Sequence, residues 1–257
     1  MPIVHAEGHV EKRLSPRELR ETEAVARLRS EAALLERLSH LGVTPRFLAS
    51  GEDGLGPWHR IERIRVPTFA EHLSRASGPL DSSWLERAAR VSFEALSRLH
   101  EAVDARGPLS VVHADLSPTN LAIDDAATRA VVLDFDLAWW RDGSLRNDGA
   151  FRGTIDYVAP EVARGERPTP QSDLFSLAAT LFHGVTGAAP RSGRTTGEPS
   201  FAALLAMAAE APLLRPGEED GPITSRGPGH VALLACLAHA PDRRPASARI
   251  VCASMTA

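Results

Sequence analysis

"VVHADLSPTNLAID", residues 111–124, is the stretch whose reading decides the fold. Two valines lead into His113, Asp115, Pro118 and Asn120, and the text turns apolar again at Leu121. The β-branched and apolar runs on either side read as strands, and the polar residues between them as a short loop. A loop pinned between two buried strands is held still, and this one carries a carboxylate and an amide five residues apart. The spacing raises the question of what a carboxylate and an amide do there. Alone the spacing is a weak signal, because polar loops of this composition are common.

Downstream the pattern continues. "RAVVLDFDLAWW" (129–140) is a second strand ending in acids, with Asp134 nineteen residues past Asp115. "GTIDYVAPE" (153–161) follows, then "SDLFSLAATLFHGVTG" (172–187), which runs from a Ser/Asp start to a glycine stop and predicts a helix. "HVALLACLAHA" (230–240) is helical text ahead of "PDRRP" (241–245). Loops rich in Gly, Pro and Ser are expected over 187–200 and 215–229.

Upstream, "LSPRELRETEAVARLRSEAALLERLSHLG" (14–42) predicts a helix opened by a Ser15/Glu18 capping box with Pro16 at its first position and stopped by Gly42. Its apolar stripe through Leu28, Leu35 and Leu38 puts Glu31 on the buried side. A carboxylate there needs a partner. Of the 29 lysine and arginine residues only Lys12 is a lysine. A GC-rich genome explains the arginines, and a lysine kept against that bias is a candidate for work arginine cannot do. Extended pieces are expected at "RFLASG" (46–51) and "WHRIERIRV" (58–66), then helix from about Phe69. A Ser83/Glu86 capping box opens another helix through "WLERAARVSFEALSRLHEA" (84–102).

With 257 residues, 43% hydrophobic and 24% charged, the chain can bury one large core or two lobes around a cleft. A net charge of −4 gives no reason to expect nucleic acid or an anionic membrane. No apolar run is long enough for a membrane span, and "MPIVHAEGHVEKR" does not read as a signal peptide. The two cysteines, Cys236 and Cys252, read as small core residues of a reduced, cytoplasmic protein. The ten histidines show no metal-ligand spacing and read as core or surface residues.

In consecutive order, "HADLSPTN", "DFD", "GTIDYVAPE" and "SDLFSL" resemble the large lobe of eukaryotic-type (bacterial) serine/threonine protein kinases. The likeness runs from Lys12 to about Arg249. It implies an α+β bilobal kinase-like fold, with a small, truncated β-rich N-lobe over residues 1–63 and a mainly helical C-lobe over 64–257. It further implies Asp115 as catalytic base, Asn120 and Asp134 as Mg²⁺ ligands, and Lys12 paired with Glu31 to hold ATP phosphates. Glu62 and Ile64 would meet adenine through backbone groups, Val10 and Ala122 would sandwich it behind the gatekeeper Ile61, and Ser117 would lie near the γ-phosphate. Thr154 matches the threonine lining the peptide site. Asp173 opens the next long helix, and Arg244 matches the arginine that pairs with Glu161.

The chain departs from the family pattern in four places. Only Gly8 stands upstream of Lys12 where a glycine-rich loop is usual, which leaves room for a strand or a little more; either something else covers the phosphates or the start lies upstream of Met1. Ala114 replaces the arginine that often reads a phosphorylated activation loop. Ser117 replaces a lysine, and Asp136 replaces the glycine after Phe135. The expected function is transfer of the γ-phosphate of Mg·ATP to a protein hydroxyl, with Ser144 and Thr154 as expected autophosphorylation positions. A pseudokinase scaffold and a small-molecule phosphotransferase are the alternatives, with no nucleic-acid or membrane partner in any of the three.

Overall fold

The computed structural model describes residues 3–6, 8–143, 153–191, 200–211, 213 and 228–255. A small antiparallel sheet opens the chain, and a mainly helical body follows it. Four strands form the sheet: β1 (Ile3–Ala6), β2 (His9–Arg13), β3 (Phe47–Asp53) and β4 (Gly56–Glu62), in the order β1-β2-β4-β3. Two strands, not one, precede the first helix. They turn at Gly8, whose φ of 84° lies in the left-handed region that glycine enters freely. Register sets Val10 opposite Ile61 and Lys12 opposite His59.

The first helix, α1 (Thr22–Leu38), buries Leu28, Glu31, Leu34, Leu35 and Leu38 on one face, at the spacing of an amphipathic helix. Its capping box exists but belongs to a separate single turn. Ser15 and Glu18 cap the 3₁₀ turn Glu18–Arg20, and α1 begins at Thr22. Gly42, at φ 70°, ends the 3₁₀ turn that continues α1. Across the sheet's outer face, Arg13 pairs with Asp53 through two 2.9 Å bonds while Arg60 stacks on Trp58.

Past Glu62 the chain runs to α2 (Phe69–Arg75), opened by a Thr68/Glu71 capping box. Helix α3 (Ser82–His100) follows. Its cap is Asp81, which accepts from the Trp84 amide at 2.8 Å, so the expected Ser83/Glu86 box is displaced by an earlier acid. The hairpin β5–β6 (Val103–Asp104, Gly107–Pro108) and the hairpin β7–β8 (Leu121–Ile123, Ala130–Val132) come next. The β7 and β8 strands are fully buried, as the continuous apolar runs require.

Helices α4 (Pro160–Ala163), α5 (Pro170–Thr186), α6 (Phe201–Glu210), α7 (Pro228–Cys236) and α8 (Ala248–Met255) complete the body. From Ser172 to Leu181 α5 is buried on every side, and it starts two residues ahead of the expected Ser172 because Thr169 and Pro170 supply the cap and first turn. Gly187, at φ 73°, stops it. One apolar core joins α1, β4, α3, α5, α7 and β7–β8, so both parts share an interior. Trp140 packs in it. Trp139 is half-buried beneath the guanidinium of Arg167. Cys236 is buried and Cys252 partly so, both unpaired.

Candidate active site

Four elements bring the site together. Strand β2 delivers Lys12, α1 delivers Glu31, the segment after β8 delivers Asp134, and the loop ahead of β7 delivers Asp115 and Asn120. The Lys12 Nζ donates to Glu31 Oε1 at 2.6 Å and to Asp134 Oδ1 at 2.7 Å. Lys12 and Glu31 are only 5% and 1% exposed. Burial works against the lysine's charge, but the two carboxylates outweigh it and hold the ammonium above its ordinary pKa. Burial pushes the Glu31 carboxyl up while Lys12 pulls it down. Glu31 Oε1 also accepts the Phe135 amide at 3.1 Å, which ties α1 to the segment after β8.

Asp134 sits in the left-handed region at φ 59°, a conformation Asp tolerates better than most side chains. Its side chain is 46% exposed, and among the described residues its Oδ2 has no partner. Although burial opposes it, Lys12 holds this carboxyl below its ordinary pKa. Asp136 avoids left-handed backbone, so replacing glycine there imposes no strain of that kind. Its carboxylate turns to the Arg27 Nε on α1 at 3.4 Å. Burial raises the Asp136 pKa, with Arg27 opposing.

Asp115 is held from both sides. Its Oδ1 accepts from the Thr154 amide at 2.8 Å and the Thr154 hydroxyl at 3.0 Å. Its Oδ2 accepts from Asn120 Nδ2 at 3.0 Å, and that nitrogen also reaches the Asp115 carbonyl at 2.9 Å. With Nδ2 so committed, the Asn120 amide oxygen is the group left for a cation. Burial raises the Asp115 pKa, against the pull of His113 and the Thr154 bonds, and nearby Asp134 adds to the rise. The loop turns on Ala114, whose φ of 66° is costly for alanine. Buried Asp173 on α5 holds that turn by accepting the His113 amide at 2.7 Å and the Ala114 amide at 2.9 Å. His113 in turn bonds the Leu133 carbonyl at 2.9 Å, and His100 bonds Asp173 at 3.0 Å.

Val10 lies in the sheet opposite Ile61, and Ala122 is buried in β7. Glu62 ends β4, and half-buried Ile64 follows it. Ser117 is buried with its hydroxyl 3.0 Å from that of Thr119. Glu161 on α4 and Arg244 form a buried two-bond pair at 2.6 and 2.8 Å, and the guanidinium outweighs burial to hold Glu161 below its ordinary pKa. Ser144 lies outside the described residues.

Sequence reading has His59 as a core or surface histidine, which it is, and missed only its approach to Glu31. His59 is fully buried, and its Nε2 lies 3.6 Å from Glu31 Oε2, with neither atom hydrogen-bonded among the described residues. The signal was available: in β4, Pro57, His59 and Ile61 alternate inward with period two. Arg27 and Arg191 were missed as well, because each meets a partner more than thirty positions away.

A family model described as the protein kinase domain matches residues 6–254. The chain belongs to this family. Among curated relatives of the kinase domain, the serine/threonine-protein kinase PknK of Mycobacterium tuberculosis is 32% identical over 75% of this chain and 16% of its own length. A probable serine/threonine-protein kinase of Corynebacterium efficiens is 29% identical over 87% of this chain and 33% of its own length. The serine/threonine-protein kinase PrkC of Bacillus subtilis is 26% identical over 68% of this chain and 26% of its own length. The chain thus spans about a third or less of these relatives, which are kinases of the bacterial eukaryotic-type group. Its bilobal α+β architecture agrees with that membership.

Proposed function

We propose that the chain is an active ATP-dependent serine/threonine protein kinase, with a nucleotide-binding front over 1–63 and a catalytic body over 64–257. The observation that carries this is Lys12 joining Glu31 and Asp134 at 2.6 and 2.7 Å while Thr154 and Asn120 hold Asp115 beside them. Lys12 has the charge and position to steady the phosphates of ATP. Adenine would lie between Val10 and Ala122, behind Ile61 and against the backbone of Glu62 and Ile64, with Ser117 toward the γ-phosphate.

The residues present fit Mg²⁺. Among the described residues Asp134 has an uncommitted carboxylate oxygen and Asn120 an uncommitted amide oxygen, and such a sparse oxygen set suits an ion that keeps waters and shares substrate phosphates. When bound, it would neutralise charge on the transferring phosphoryl group. Asp115 accepts the proton of the attacking hydroxyl, its carboxylate held in place by Thr154 and Asn120. The Thr154 hydroxyl fixes the carboxylate on the acceptor side.

The test is transfer of labelled γ-phosphate from Mg·ATP. Asp115→Asn is expected to lose activity by about 10²–10⁴-fold with nucleotide affinity kept. Equal transfer by both proteins sinks the assignment of Asp115. A second reading, a nucleotide-binding scaffold, is favoured by the carboxylate of Asp136 beside Asp134. Binding of Mg·ATP with no transfer to any acceptor supports it.

A further inference from the structure

Arg191 follows α5, and its side chain is spent on the backbone of a distant loop. It is 3% exposed. Its Nη1 donates to the Ile155 carbonyl at 3.0 Å and the Asp156 carbonyl at 2.7 Å, and its Nη2 donates to the Val158 carbonyl at 2.8 Å. The guanidinium carbon lies 5.8 Å from the Phe175 ring centroid on α5, the helix that also carries Asp173. A buried cation is costly unless its donors are used, and here three bonds go into four consecutive residues.

That stretch leads directly to the base. Thr154, one residue before Ile155, gives both its amide and its hydroxyl to Asp115 Oδ1. At the other end, Tyr157 returns its amide to the Thr154 carbonyl at 3.1 Å and places its hydroxyl 2.8 Å from His183 Nδ1 on α5. Thr154 is thus the residue of this stretch that lies directly against the base. The conformation of 153–158 therefore shapes the acceptor side of the site.

We propose that Arg191 is a positioning residue for the acceptor. Its fork holds the Ile155, Asp156 and Val158 carbonyls, and through them it sets Thr154 against Asp115 and shapes the surface a protein hydroxyl docks on. The inference rests on the kinase reading above and adds a determinant of acceptor affinity to it. The geometry asks for arginine. A planar fork carries diverging N–H groups that span three carbonyls, whereas a lysine has one nitrogen at the end of its stem.

The experiment uses the full chain as wild type, Arg191→Met and Arg191→Lys, with myelin basic protein as acceptor and Mg·ATP as donor. The expected result for Arg191→Met is a KM for the acceptor raised roughly tenfold, with KM for ATP unchanged. Arg191→Lys should fall between the two, and it carries the test if the Met variant does not fold. A variant with an unaltered acceptor KM, or with both KM values raised together, overturns the proposal. Amide exchange supplies a reading independent of catalysis. Faster exchange confined to 154–158, with α5 still protected, supports the strut, and unchanged exchange there overturns it. If wild type phosphorylates nothing, the kinase reading fails and the exchange result alone decides Arg191.

Discussion

At the residue scale, the site turns on one cation shared by two carboxylates. Removing one partner of a buried pair leaves the other uncompensated, so Lys12→Ala should lose about 3–5 kcal/mol of stability in urea titration as well as nucleotide affinity. Lys12→Met combined with Glu31→Leu should recover most of the stability and none of the affinity. A double variant as unstable as the single one contradicts this. His59 gives a pH signature. Burial, helped by Lys12, lowers its pKa from 6.5 to about 4. The unfolded chain therefore takes up a proton below pH 6.5 that the folded chain refuses until about pH 4. Stability is complete above 6.5 and falls by about 3 kcal/mol as pH drops through that window, with His183 and His239, also lowered by burial, acting in the same sense. His59→Leu should flatten the acid limb in urea titrations at pH 4.5 and 7, and an unaltered limb excludes His59 as its source. Lys12 and Glu31 were legible because one is the lone lysine and the other breaks an apolar stripe. Arg191 was not, since nothing local marks an arginine whose acceptors are backbone carbonyls.

At the element scale, periodicity placed the helices and strands well, while capping chemistry misplaced their ends. Ser15 and Glu18 do cap a turn, but it is a 3₁₀ turn that stops before α1. Two candidate caps competed at α3, and the acid nearer the start won because its carboxylate reaches the Trp84 amide. Asp81→Ala should lower the midpoint of chemical denaturation, with Glu86→Ala leaving it at the wild-type value. The reverse order would restore the Ser83/Glu86 reading. The "APE" and "PDRRP" motifs were legible as letters, yet what they do is a tertiary fact. Arg244→Ala strands Glu161 in the core and should cost about 3–5 kcal/mol, measured the same way.

At the scale of the whole molecule, the family and the two-part architecture were legible because the motifs occur in order along the chain. What stayed hidden is how the parts are tied. Three contacts fasten β2 and α1 to the segment after β8: Lys12 of β2 to Asp134, and from α1 Glu31 to the Phe135 amide and Arg27 to Asp136. They span roughly a hundred positions or more, beyond any local pattern. If they act together, Mg·ATP should raise the thermal midpoint of the wild type and do so far less in Lys12→Met, as read by a melting scan. The lone lysine has one more consequence. A lysine-specific protease has a single bond to cut, after Lys12, in a strand paired on both sides. Cleavage there requires the sheet to open. The rate of that cut is thus a clock for how often the small lobe breathes, with no competing lysine elsewhere in these 257 residues.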